Sequence, residues 1–148
     1  MNVSQTETYI RKLLESATAH KREKMELAVI NLKERSLTIK VGADKSRGVP
    51  YQKVNQLQGG YAAVFTDSPM WIVLMFDKSL RNKVIRTSKI ETHWFKPARA
   101  NEGLVVHARY RRQETKNGKT RFFSSAIIKN RKGETVAVVK AVNQLIEK

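Results

Sequence analysis

The apolar positions along the chain change period several times, and each change marks a new element. Ile10, Leu13, Leu14 and Ala17 recur at i, i+3, i+4 and i+7, which predicts a short amphipathic helix. Ser4 and Glu7 have the S-x-x-E spacing of a capping box at its start. From Met25 to Val41 the period falls to two. Leu27 and Val29, then Leu37, Ile39 and Val41, alternate with polar residues around a K-E-R-S turn, which predicts a hairpin. Gly42 to Gln56 has few apolar residues and carries Gly, Asp, Ser, Pro and Asn, so a loop is expected there.

Gln58 to Phe76, Q-G-G-Y-A-A-V-F-T-D-S-P-M-W-I-V-L-M-F, is the one long apolar run, and Asp67 is its one carboxylate. A glycine pair followed by small and bulky apolar residues predicts a helix with a bare N-terminus. Being apolar nearly all round, it should be wrapped by other structure. Four strand-like segments follow: Val84 to Phe95, Leu104 to Thr115, Thr120 to Lys129 and Thr135 to Ile146. Asn117-Gly118 and the stretch Asn130 to Gly133 read as tight turns, so the last three segments should form an antiparallel meander. The order helix, two strands, long helix, four strands is that of an α+β domain with one buried helix against an antiparallel sheet. At 148 residues we expect a single unit, with residues 1–24 as a helical preface and 25–148 as its body.

Charge and composition narrow the partners. Lys and Arg total 29 against 13 Asp and Glu, a formal charge of +16, which calls for an anionic partner: nucleic acid, an anionic membrane or a phosphorylated small molecule. With no cysteine, disulfides and thiolate metal sites are excluded and a reducing cytoplasm is permitted. The apolar run is interrupted by Asp67 and Pro69, and the N-terminus has no signal-like apolar core. A cytoplasmic protein without a membrane span is therefore expected. His20, His93 and His107 are scattered and none stands at a metal-ligand spacing, so no metal site is expected. There is no G-x-S-x-G and no phosphate-cradling loop.

The remaining chemistry centres on the long helix. Its glycine-bare N-terminus can hold an oxyanion on backbone N–H groups, helped by the helix dipole. Asp67 follows Gly60 by seven residues, close to two turns, and so projects from the same face. Among Phe65, Met70 and Trp71 it should be partly desolvated, which would make it a better base. Plainer readings stand beside this one. Gly59-Gly60 can be only a turn, and Ser68-Pro69 can be the cap and first position of a new helix; at the least, Pro69 should kink the one that carries Asp67.

These features together resemble the hotdog-fold acyl-CoA thioesterases of the phenylacetate and 4-hydroxybenzoyl-CoA type, in which a curved sheet wraps a long central helix. Gln58-Gly59-Gly60 is similar to that group's H-G-G, and Asp67 lies where the family places its catalytic acid. H-W-F-K-P-A-R-A-N-E-G, from His93 to Gly103, resembles the family's strand end, proline turn and glycine, and the remainder to Leu145 resembles its closing meander. The resemblance implies an acyl-CoA thioesterase with Asp67 as base or nucleophile and Gly60 as oxyanion donor, the two acting across a homodimer that can pair further into a dimer of dimers. It implies substrate contacts from Gln58, Gly59 and, at a shortened spacing, Asn55. Lys96, Arg99 and Arg121 are the candidates for the phosphates of coenzyme A, which enters only as part of the substrate; no other cofactor is implied. The sequence departs from the family in Pro69 and in Gln58 for the usual His, and these departures leave a non-catalytic acyl-CoA-binding hotdog protein as one alternative. A dehydratase is disfavoured, since no His lies between Lys21 and Glu91. The second alternative, a basic nucleic-acid-binding protein, has the charge in its favour but neither a helix-turn-helix nor an RNP-like aromatic pair.

Overall fold

A computed structural model describes residues 3–51, 54–57 and 59–146. In chain order its elements are α1 (Val3–Ser16), α2 (Thr18–Arg22), β1 (Met25–Asn31), β2 (Ser36–Val41), β3 (Gly48–Tyr51), β4 (Val54–Leu57), α3 (Tyr61–Ile72), β5 (Val84–Trp94), β6 (Leu104–Lys116), β7 (Lys119–Lys129) and β8 (Thr135–Ile146). Six strands form one antiparallel sheet in the order β1-β2-β6-β7-β8-β5. The expected meander is β6-β7-β8. Its first turn works because Asn117 and Gly118 take φ of 54° and 73°, the left-handed pair that a two-residue hairpin requires.

Alternation decides which side of the sheet is dry. Leu37 and Ile39 on β2, Val106 and Ala108 on β6, Phe122 and Ala126 on β7, and Ala137 and Val139 on β8 are all buried, and α3 packs Ala62, Phe65, Met70 and Ile72 into the same core. This is the α+β arrangement of a curved sheet around a central helix that the resemblance implied. Ile10 and Leu14 carry α1 into that core as well.

Four local expectations are corrected. The long helix is shorter than the apolar run: α3 ends at Ile72 and tightens into a 3-10 turn over Val73–Phe76. Asp67, Ser68 and Pro69 lie inside α3, so no helix restarts there. Pro69 lacks one helical donor, but it and its neighbours Phe65 and Met70 are buried against the sheet, and that packing outweighs one missing bond. Part of the loop expected between Gly42 and Gln56 is a two-stranded ribbon, β3–β4, which lacks apolar alternation because it lies outside the main sheet. The ribbon is pinned instead by Leu57 N–H donating to Ala98 O at 2.8 Å. Finally, α1 already includes Val3 and so begins ahead of the expected cap, the side chain of Ser4 lying outside the described residues.

His20 gives the fold a pH dependence. It is 3% exposed, its Nε2 has no partner among the described residues, and burial holds its pKa below the usual 6.5. The unfolded chain therefore takes up this proton first as pH falls, so stability is fully present above about pH 6.5 and declines below it. His107 is lowered too, chiefly by burial, and acts in the same sense. Carboxylates with lowered pKa, such as Asp77 held by the Ser79 hydroxyl, lose their contribution only in a separate, more acidic window. Melting temperature should be flat from about pH 7 to 8 and fall from about 6.5 to 5, and His20→Phe should remove part of that slope. An unchanged slope in the variant would assign the effect elsewhere.

Candidate functional site

Of the two candidate groups Gly60 caps α3 and Asp67 lies within it, and β5 is reached by Asp67 and by Gly59, the neighbour of Gly60. Gly60 is the N-cap of α3, with φ −62° and ψ −21°, a conformation open to any residue. A Cβ placed on it would meet nothing within 4 Å, so neither backbone nor packing in this chain demands glycine there. What its bareness preserves is open space beside the helix start. Gly59 is backed by Trp94 on β5, whose Nε1 would lie 3.4 Å from an added Cβ. The carbonyls of Gly59 and Gly60 accept the N–H groups of Ala62 and Ala63 at 3.2 Å each, so the first turn presents donors, not acceptors, outward. A cleft of about 310 Å³ opens at this end, with Leu57, Gly59, Trp94 and Lys96 in its wall.

Asp67 lies two turns further on. Its Oδ1 accepts a hydrogen bond from Thr87 Oγ1 at 3.0 Å, and Thr87 Oγ1 in turn accepts from Asn143 Nδ2 at 3.0 Å. β5 presents Thr87 in this way because Thr87 shares the inward face with Ile85, two residues before it, and lies opposite the inward Asn143; a bulge between Thr87 and Lys89 follows. The bulge shifts the alternation, so that Ile85 is buried before it and Ile90, Thr92 and Trp94 are half-buried after it. One turn beyond Asp67, the Trp71 indole donates to Ile85 O at 3.3 Å and ties the helix to the same strand. The expected desolvation of Asp67 does not occur within one chain, where the residue is exposed. Phe65 is about 200° around the helix from it and turns toward the sheet, so burial of the aromatic leaves the acid in the open.

Not all the sequence candidates come together. Lys96 borders the glycine cleft, but its Nζ is 2.6 Å from Glu134 Oε2, an ion pair that occupies part of its charge. Arg99 is exposed, and its backbone bridges Gln56 just before the glycines. Arg121 is at the other end of the sheet. It pairs with Gln144, whereas Lys96 N–H reaches Val136 O, and the eight residue steps along β8 from one to the other span about 25 Å. Arg121 therefore does not join Lys96 and Arg99 in one chain. Arg109 and Arg111 are exposed on β6 while Val106 and Ala108 are buried, so they face away from the helix. Asn55 pairs with Pro50 in the β3–β4 ribbon, its side chain lying outside the described residues, as does the whole of Gln58.

Among the described residues no group of three or more His, Cys, Asp and Glu could hold a metal ion, and no helix is long and apolar enough to cross a membrane. His107 is engaged with Thr38, Nδ1 to Oγ1 at 3.0 Å, and His93 packs against Phe95 with the rings tilted by 52°. Thr87 and Asn143 were not singled out by the motifs. The signal for Asn143 was nonetheless present: along β8 the inward positions read Ala137, Val139, Ala141, Asn143, Leu145, with one polar residue in an apolar stripe.

No protein-family model and no curated protein sequence matches the chain. Solved structures do. The chain is similar to the Escherichia coli PaaI protein of the phenylacetic acid degradation operon, at 14% identity and a TM-score of 0.78, over 97% of this chain and 95% of that one. It is similar to mouse thioesterase superfamily member 2, at 20% identity and a TM-score of 0.71, over 93% and 95%. A hypothetical thioesterase from Streptococcus pneumoniae, solved with coenzyme A, matches at 12% identity and a TM-score of 0.69, over 94% and 98%. At such identities the likeness is one of backbone architecture: the chain has the hotdog fold of the thioesterase superfamily's solved members.

Proposed function

We propose that two copies of this chain together hydrolyse acyl-CoA thioesters. The observation that carries the reading is the pairing of an exposed, hydroxyl-tethered carboxylate with a side-chain-free helix start on the same helix. In the first step, the thioester carbonyl lies at the Gly60 N–H, and the helix dipole stabilises the oxyanion as water adds to the carbonyl carbon. Asp67 takes the proton from that water as general base; as nucleophile it would add to the carbon itself and be released by water. The C–S bond then breaks, the thiolate of coenzyme A departs and takes up a proton, and the acid is freed.

One chain is too spread out for this. Seven residues of helix put about 10 Å between Gly60 and Asp67, whereas a reacting carbonyl needs its donor and its nucleophile each within about 3 Å. β5 offers the remedy, because it ends the sheet and has a strand neighbour on one side only. If two copies of β5 pair antiparallel about an axis between Ile90 and Glu91, Thr87 of one copy lies opposite Trp94 of the other. Thr87 holds Asp67 and Trp94 backs Gly59, so the acid of one copy meets the glycines of its mate. The same pairing would cover Asp67, supplying the desolvation that one chain lacks. Lys96 and Arg99, beside the glycine cleft, are the side chains we assign to the phosphates of coenzyme A.

Thiol release from short, aromatic and long acyl-CoAs tests the reading directly, and the cysteine-free chain adds no thiol background. Release from any class supports it and ranks the acyl group. A chain that releases none, and instead binds nucleic acid with steep salt dependence and without competition from coenzyme A, would overturn it.

A further inference from the structure

We infer that Asn143 is a positioning residue, which sets the direction of the Thr87 hydroxyl and through it the geometry of Asp67. The inference rests on the reading of Asp67 as the acid that acts on the thioester.

The argument starts from counting protons. A carboxylate only accepts hydrogen bonds, and a hydroxyl has one proton to donate, so in the contact of 3.0 Å between Thr87 Oγ1 and Asp67 Oδ1 that proton belongs to the Asp67 side. The contact of 3.0 Å between Asn143 and Thr87 must then run the other way, with Nδ2 donating. The reversed amide would aim two acceptors at a single proton, which removes the usual ambiguity in the orientation of an asparagine. Asn143 thus occupies a lone pair of Thr87 and leaves the hydroxyl one way to point. Oδ1 of Asp67 is tethered, and Oδ2 is left to address water.

The surroundings of Asn143 make a purely structural role a poor account of it. The residue is 1% exposed, it stands between Ala141 and Leu145 on the inward face of β8, and its Oδ1 has no partner among the described residues. A buried acceptor without a donor weakens a fold, and a leucine of similar size would carry no such group. What the asparagine contributes that leucine cannot is the Nδ2 donor to Thr87. Ser88, in the adjoining bulge, donates to Val142 O at 3.1 Å and holds β5 in register with β8, so Thr87 and Asn143 stay opposed.

The test is a cycle on the active protein with Asn143→Leu, Thr87→Val, Thr87→Ser and the double variant Thr87→Val/Asn143→Leu, reading kcat, KM and melting temperature. Asn143→Leu should melt at or above the wild-type temperature, keep its KM and lose about 3- to 10-fold in kcat as the hydroxyl samples other staggered positions. Thr87→Ser, which keeps the hydroxyl, should lose less than Thr87→Val. Thr87→Val should lose at least as much as Asn143→Leu, and the double variant should match Thr87→Val alone, since Asn143 acts only through the hydroxyl. Wild-type kcat in Asn143→Leu overturns the inference, and so does an equal further loss when the leucine is added to Thr87→Val. An arm that needs no turnover separates this from the hydrolase reading: the three-bond NMR coupling between Hβ and the hydroxyl proton of Thr87 should report one rotamer about Cβ–Oγ1 in the wild type and averaging in Asn143→Leu. A chain that releases no thiol but shows this change keeps the role of Asn143 and loses the hydrolysis. One fixed rotamer in both proteins overturns the role of Asn143 whatever the activity.

Discussion

Asp67→Asn should reduce kcat for thioester hydrolysis by about 10²- to 10⁴-fold, the range expected when a positioned general base is removed, while KM and melting temperature stay near wild type. The side chain is exposed in the chain, so the substitution removes no core contact. The amide oxygen can still accept from Thr87 Oγ1, which lies 3.0 Å from Oδ1, so the geometry is kept while the basic group is lost. Continuous thiol detection beside a thermal melt checks both halves. A variant that turns over like the wild type removes Asp67 from the reaction, and one that melts several degrees lower makes the residue structural. The kcat/KM split matters because a residue that only bound substrate would raise KM and leave kcat alone.

The reach of the sequence differed between the sheet and the site for a physical reason. Strands β5 to β8 were legible nearly to the residue because alternation and turn chemistry act locally: Val106 and Ala108 inward, Arg109 and Arg111 outward, Asn117-Gly118 in the turn. The β3–β4 ribbon was not, since Pro50, Asn55 and Gln56 make no apolar stripe and the ribbon is held by a contact to Ala98 more than forty residues away, about which local pattern says nothing. In the site, Gly60 and Asp67 could be found because both belong to one helix and their spacing is a property of that helix. Thr87 could not, because its approach to Asp67 depends on how another strand packs against the helix, and the distance of Arg121 from Lys96 within one chain depends on strand register, which composition does not carry. The basic charge likewise told of an anionic partner without choosing one. Of six ion pairs formed among the described residues, the one of Lys96 with Glu134 falls beside the glycine cleft.

The separation of Gly60 from Asp67 leads to the other large effect, a rescue between two inactive proteins. Asp67→Asn leaves a chain with an intact glycine, and Gly60→Val leaves a chain with an intact acid. The valine should fold, because a Cβ at Gly60 meets nothing within 4 Å and its φ of −62° suits any residue, yet its branches occupy the space a carbonyl needs. If each site takes its acid from one copy and its glycine from the other, a mixed dimer has one site with both groups native and one with neither. Unfolding and refolding an equal mixture should then give half mixed dimers with half their sites intact, so activity should return to about a quarter of wild type from two proteins that have almost none. Each variant refolded alone supplies the baseline, and mixing without refolding reports how fast the copies exchange. Were both groups supplied by one chain, no mixture could restore activity, because every chain would still carry one defect. Recovery near a quarter, together with a dimer mass in solution, would therefore establish that catalysis is shared between copies; recovery at baseline from a mixed dimer would rule out a site that takes its acid and its glycine from different copies.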